Sequence, residues 1–226
     1  MLNVIYEDNH ILVVIKPQNI PTQEDSSGDK DMLTLVKEYI KEKYDKPGNV
    51  YVGLVHRLDR PTGGVMVFAK TSKAAARLTE AIKSNEITKT YLTIVNGVPK
   101  VKKQKLVNYL KKNEKTNIVS VVGPAVSGAK YAELNYETLS SLNGTSLLSV
   151  NLITGRSHQI RAQLSHMGNH IYNDFKYGSK TKGNLMLWAY KLVLLHPTTK
   201  QKMTFTVFPE LVGAWKTYEN TLANLK

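Results

Sequence analysis

Two short segments hold the residues best suited to chemistry. The first runs His56-Arg57-Leu58-Asp59-Arg60-Pro61-Thr62-Gly63-Gly64. Pro61 and the glycine pair mark a tight loop. Asp59 stands in sequence between the guanidinium groups of Arg57 and Arg60, and nearby positive charge favours a carboxylate over its acid. Such a group is a poor general acid but a usable nucleophile or electrostatic stabiliser. The same residues would also make an ordinary surface Arg–Asp turn of little energetic weight. The second segment is Gly155-Arg156-Ser157-His158-Gln159-Ile160-Arg161. A helix starting at Gly155 or Ser157 would point backbone N–H groups at an anion and set Ser157, His158 and Arg161 on one face. Taken alone, this segment also fits an amphipathic helix with its polar side in water.

The charge balance narrows the partner. Across 226 residues, 31 Lys+Arg stand against 18 Asp+Glu, a formal net charge of +13. That excess points to a polyanion, nucleic acid ahead of an anionic membrane face, although a lysine-rich surface also serves solubility. The five arginines are Arg57, Arg60, Arg77, Arg156 and Arg161, and four of them fall in the two segments. Arginine there, with lysine elsewhere, implies a need for planar forked donors rather than charge alone. Cysteine is absent, which excludes thiolate nucleophiles, Cys-ligated zinc and iron–sulfur clusters and fits a reducing compartment. His166 and His170 with His158 suggest a metal, but Gly168-Asn169 interrupts the helix needed to align them, so none is expected. No phosphate-binding glycine loop of the nucleotide-dependent enzymes occurs. The start of the chain lacks a basic signal region, and Ile11–Ile15 is far too short to span a bilayer. A soluble, cytoplasmic protein is expected.

The elements that must position these segments follow from periodicity. Asn3–Tyr6 and Ile11–Lys16 read as strands, Gln23–Lys30 as a loop, and Met32, Leu33, Leu35, Val36, Tyr39 and Ile40 as a helix stopped by Pro47-Gly48. Gly64–Lys70 reads as a strand, and Ser72 is expected to cap a helix through Ile82. Thr90–Val98, Lys130–Leu139, Thr145–Ile153, Leu187–Leu195 and Met203–Phe208 read as further strands. Ser157–His166 and Ala214–Leu225 are expected to be helices. The pattern predicts an α+β fold, a mixed, mainly antiparallel β-sheet core with flanking helices. The length fits one large domain or two small ones.

Taken together, the two segments resemble motifs of the RluA-type RNA pseudouridine synthases. His56-Arg57-Leu58-Asp59 is followed two residues later by Thr62-Gly63-Gly64, and Gly155 to Arg161 comes about a hundred residues on. Lys89-Thr90-Tyr91 with Val95-Asn96-Gly97 is similar to the family's tyrosine strand motif. Asn173-Asp174-Phe175-Lys176-Tyr177-Gly178 is similar to its Gly-Asp-x-x-Tyr-Gly segment, and His196-Pro197 recurs near the end. The resemblance covers roughly Val4 to Pro209. It implies one domain over 1–226 with a central basic cleft. It implies isomerisation of uridine in ribosomal or transfer RNA, with neither metal nor other cofactor; a monomer is the default expectation. It also implies Asp59 as the catalytic carboxylate, Tyr91 against the flipped base, and Arg161 paired with Asp59. Arg57 would support the gap left in the RNA, because a base must leave its stack before it can be modified. Arg60, Thr62, Arg156, His158, Gln159 and Ile160, from the same two motifs, would contact the substrate.

Gly63 stands where the family usually has Ser, and Asn173 where it has Gly, so a different turn is expected at Asn173. The catalytic-type sequence starts almost at Met1, so the S4-type domain many relatives carry is not expected. Two other readings compete. One is an RNA-binding protein that keeps the fold without catalysis. The other is a glycosidic-bond hydrolase, which needs a paired acid and base; Asp174 and Glu86 are its nearest candidates. Tyr172, Phe175 and Tyr177 could stack on RNA bases or belong to the core.

Overall fold

The computed structural model describes residues 2–225. In chain order the elements are β1 (Asn3–Glu7), β2 (Ile11–Lys16), α1 (Met32–Lys43), β3 (Gly53–Leu54), β4 (Gly63–Ala69), α2 (Ser72–Lys83), β5 (Thr88–Asn96), β6 (Lys103–Asn113), β7 (Ile118–Val122), β8 (Lys130–Leu142), β9 (Thr145–Leu152), α3 (Gln159–His166), β10 (Leu187–Leu195), β11 (Lys202–Thr206) and α4 (Glu219–Ala223). Single 3-10 segments cover Phe175–Tyr177 and Gly213–Tyr218. This is the α+β class expected from the sequence, and the sheet is mainly antiparallel: β1–β2, β2–β4, β3–β4, β10–β11, β5–β9, β6–β7, β6–β8 and β8–β9 all pair that way. The chain forms two compact units. One comprises the residues up to Thr88 with Ala189–Val207, the other Lys89–Trp188 with the residues from Phe208 onward.

In the first unit the strands run in the order β1-β2-β4-β10, with β11 on β10 and β3 on β4. β2 and β4 are apolar almost throughout, because both of their faces are covered. Ile11, Val13, Val65, Val67 and Ala69 pack with Leu192 and Leu194 and with Ala74 and Leu78 of α2. The cap of α2 is Thr71, whose hydroxyl accepts from the Ala74 amide, and Ser72 is the first helical residue rather than the cap expected. Both side chains can cap, and the extended backbone of Thr71 decides between them. α1 is capped by Asp31 and buries Met32, Val36 and Ile40 at helical spacing. Gly64 faces β10 so closely that a Cβ would lie 2.2 Å from the Ala189 carbonyl oxygen, at a φ of +123°. Only glycine fits there.

The second unit is an antiparallel sheet in the order β5-β9-β8-β6-β7, in which the β6–β7 hairpin lies at one edge with β6 against β8. Leu110, Val119, Ala132, Ala162 and Tyr177 make one of its buried clusters. β6 and β7 were not expected from periodicity. β6 reads KQKLVNYLKKN and buries only Leu106 and Leu110, so its lysines obscure the alternation. The expected helix from Ala214 to Leu225 is instead a 3-10 segment followed by the short α4, which together bury Trp215, Tyr218 and Leu222. Among the described residues no helix is long and apolar enough to cross a membrane.

Candidate active site

The Asp59 loop is fixed by the strap that follows β2. Four consecutive carbonyls of the loop have donors. The Thr22 hydroxyl donates to Leu58 O at 2.8 Å, and the Thr62 amide to Asp59 O at 2.9 Å. Arg60 O accepts from the Asn19 amide at 2.8 Å and from Lys16 Nζ at 2.9 Å. The Gln18 side chain donates to Pro61 O at 2.9 Å. The Leu58 amide in turn donates to the Thr22 hydroxyl at 3.2 Å. A loop held at every peptide can present one side chain in a constant place, which is what preorganised chemistry requires. Asp59 itself is half-buried.

Its sequence neighbours are disposed differently from the simple picture of flanking guanidiniums. Arg57 is exposed. Arg60 turns to the 23–30 loop, where its guanidinium donates to the Ser27 hydroxyl at 2.7 Å and pairs with Asp25 and Asp29. The Arg60 side chain is thus committed to other carboxylates. Thr62 is buried, and its hydroxyl has no hydrogen-bond partner among the described residues. His56 accepts the Val67 amide on Nε2 at 3.1 Å and so ties the loop to β4.

Lys16 escaped the sequence reading. It continues an apolar strand, its register partner is Gly64, and it is fully buried. Its ammonium donates to the Pro17 and Arg60 carbonyls, both at 2.9 Å. Burial pulls its pKa down to about 7, against the opposing attraction of Asp59 and with a smaller push from Arg60. The only sequence signal was a lysine placed on the inward side of a strand otherwise apolar. Between about pH 7 and the ordinary lysine value of 10.5, folded Lys16 binds fewer protons than the unfolded chain, so stability rises with pH across that window. Urea unfolding of wild type and Lys16→Met should show the wild type gaining roughly 2 kcal/mol relative to the variant between pH 7 and 9. Parallel pH profiles would mean that Lys16 is charged throughout.

In the second unit, Tyr91 is buried in β5 opposite Val150 of β9. The motif at Gly155 departs from the expected helix. α3 starts at Gln159, and His158 caps it in the left-handed region at φ 47°. Ser157 and His158 therefore lie outside the helix, and the shared face with Arg161 does not form. The residues Gln159 to Leu164 are all buried, so α3 has no water-facing polar side over those positions. Gln159 braces the preceding turn. Its side-chain oxygen accepts from the Arg156 amide at 3.0 Å and the Thr154 hydroxyl at 2.8 Å, and its nitrogen donates to Glu133 O at 3.0 Å. Ile160 is buried beside it, while Arg156 is exposed and donates from Nε to Tyr131 O at 2.9 Å.

Arg161 forms a two-pronged ion pair with Asp174, both contacts at 2.7 Å, and both side chains are buried. Its guanidinium lies over the Tyr177 ring at 4.8 Å. Forked donation and stacking are the two things lysine cannot reproduce. The Tyr177 hydroxyl accepts from the Val119 amide at 2.9 Å and meets His158 Nδ1 at 2.7 Å. Asp174 is thus the anchor of Arg161, a role that the spacing of thirteen residues did not reveal. Tyr177 belongs to the core, whereas Phe175 is exposed and Tyr172 half-buried. Asn173 has φ 66°, the left-handed region that Asn shares with Gly, so its replacement of glycine keeps a glycine-compatible backbone where a different turn was expected. Among the described residues no group of His, Asp and Glu is placed to hold a metal ion.

Comparison with known proteins gives one consistent answer. A family model described as RNA pseudouridylate synthase matches residues 10–166. An uncharacterised RNA pseudouridine synthase of Helicobacter pylori is 31% identical, the match covering 91% of this chain and 66% of that protein. Ribosomal large subunit pseudouridine synthase C of Buchnera aphidicola is 32% identical, over 97% of this chain and 70% of that one. The chain thus spans about two thirds of the length of these relatives. The solved structure of human RNA pseudouridylate synthase domain containing 4 superposes with a TM-score of 0.78 at 21% identity, covering 98% of this chain and 93% of that one. At that identity it is the fold that is shared.

Proposed function

The chain belongs to the RNA pseudouridylate synthase family, and from that premise we propose that it isomerises uridine in RNA to pseudouridine, with Asp59 as the catalytic carboxylate and no cofactor. The glycosidic bond between C1′ and N1 breaks, the uracil turns within the site, and a bond forms between C1′ and C5. The proton leaves C5 and N1 gains one, so the product has the composition of the substrate. Nothing is imported, which agrees with a sequence lacking any nucleotide-binding loop. Holding the detached base beside its sugar gives the rejoining step a high effective molarity.

The observation that carries this reading is the Asp59 loop, with the carbonyls of Leu58, Asp59, Arg60 and Pro61 each hydrogen-bonded. In the proposal Tyr91 packs on the flipped base and assists removal of the C5 proton. Arg161 positions the carboxylate, and its own position is supported by Asp174 and Tyr177. Arg57 reaches the strand from its exposed place. Arg156 and His158 contact the substrate in the same reading, Arg60 does so together with the 23–30 loop it holds, and the buried Thr62, Gln159 and Ile160 act by shaping the two turns. The names of relatives that modify the large ribosomal subunit favour ribosomal RNA over transfer RNA as substrate, and the proposed setting is a cytoplasmic monomer.

The test is to incubate the purified chain with ribosomal and transfer RNA transcripts and digest the products to nucleosides for mass spectrometry. Pseudouridine should accumulate without free uracil. Uracil release would identify a glycosidase, and RNA binding without either product would identify a binding protein that keeps the fold.

A further inference from the structure

We propose that the first unit carries an additional seat for one nucleotide of single-stranded RNA, on the tyrosines and lysines that follow α1. It extends the RNA-modifying reading and rests on it. The seat is a pocket of about 270 Å³ lined by Asn9, Tyr44, Lys46, Tyr51, Lys70 and Thr71, with Ile40 beneath, and none of these belongs to the Asp59 loop. Tyr44 and Tyr51 are exposed by 45% and 51%, unusual for two large aromatic side chains facing one pocket. Three ammonium groups surround the Tyr44 ring, those of Lys43 and Lys46 each at 5.7 Å and that of Lys70 at 4.7 Å from its centre.

The platform is held rigid from below. Glu7 is half-buried, with its side chain 7% exposed, and accepts from Lys70 at 2.6 Å, Lys43 at 2.7 Å, the Tyr44 hydroxyl at 2.7 Å and the Tyr39 hydroxyl at 2.9 Å. Burial alone would raise its pKa, but these four donors outweigh that and bring it to about 2, so the anchor stays ionised. The charged residues that line the pocket are Lys46 and Lys70, with no carboxylate among the described lining residues. Glu42 and Asp45 are nearby in sequence, but neither lines the pocket. A nucleotide supplies both a flat ring for the tyrosines and a phosphate for the lysines. An acidic peptide supplies the charge without the ring, and a membrane face would call for an apolar rim where this one is polar.

Binding is read by the fluorescence anisotropy of a labelled oligouridylate of about twelve nucleotides, with the full chain carrying Asp59→Asn so that no turnover intervenes. Combining Tyr51→Ala with Lys46→Ala should weaken binding about tenfold. Lys46→Ala alone should flatten the slope of log affinity against log salt by about 0.7. Tyr51→Phe keeps the ring and should bind like its parent. Lys37→Ala, which removes an exposed lysine of α1 outside the pocket, should leave affinity within twofold. Equal affinity of parent and double variant overturns the proposal. So does an equal loss from Lys37→Ala, which would reduce the effect to overall charge, or complete competition by oligoglutamate at matched charge, which would assign the patch to acidic polypeptide. Because the readout is binding by a chain without the Asp59 carboxylate, failure here leaves the isomerase reading intact. Absence of pseudouridine in the wild-type assay would equally leave this result standing.

Discussion

Asp59→Asn is expected to lower kcat/KM for pseudouridine formation by at least about 10³-fold, the scale of losing a positioned reacting group, while RNA affinity stays within about threefold. The amide has the shape of the carboxylate, so packing is conserved. The loop is held through the carbonyls of residues 58–61 and not through the Asp59 side chain in those contacts. What disappears is the charge and the nucleophilic oxygen. Binding persists because loss of a negative charge near the phosphates does not weaken attraction to RNA. A second readout checks that the substituted side chain occupies the same place. Asp59 favours the charged form of Lys16, so in Asp59→Asn the pH window over which stability rises should open below pH 7. Wild-type turnover in Asp59→Asn would remove the carboxylate from the mechanism. Loss of both turnover and the Lys16 effect, with a lowered melting temperature, would mean that the loop has collapsed.

The parts of the site that could be seen in the sequence were those whose residue types are costly to place without a reason. Four of the five arginines of a lysine-rich chain, gathered in two segments, pointed to Asp59 and Arg161, and glycine with proline pointed to a tight loop. The strands Ile11–Lys16 and Leu187–Leu195 were legible to the residue, the first as an apolar run buried on both faces and the second through its largely alternating pattern. Long-range partners were not legible. Thr22 reaches Leu58 across 36 positions and Lys16 reaches Arg60 across 44, and neither pair has a local signature. At α3 the helical spacing suggested a face shared by Ser157, His158 and Arg161. A left-handed His158 defeats it, because Gln159 and its hydrogen bonds hold the turn as it is. Local periodicity describes a helix once it has begun but not the residue at which it begins. β6 was missed for a related reason: on a strand with one covered face, lysines outnumber the two leucines that mark it.

Asp174→Ala is expected to destabilise the protein by about 3–5 kcal/mol, the usual result of leaving one member of a buried ion pair without its partner. For a chain of this size that corresponds to a fall in melting temperature of roughly 6–20 °C. The Arg161 guanidinium is the group left behind, with its side chain only 6% exposed and the Tyr177 ring against it. Removing both charges should cost much less than removing one, since the desolvation penalty goes with them. The double variant Arg161→Met with Asp174→Leu is therefore expected to melt within a few degrees of wild type. Its activity then separates two roles that a single substitution confounds. If Arg161 only holds α3 to the 173–178 turn, the refilled pair should restore turnover along with stability. If the guanidinium also positions the Asp59 carboxylate, as proposed, the double variant should be folded and bind RNA yet form pseudouridine at least about 10²-fold more slowly. Thermal melts and initial rates on the same preparations decide between them, and a stable double variant with wild-type kcat would reduce Arg161 to a structural residue.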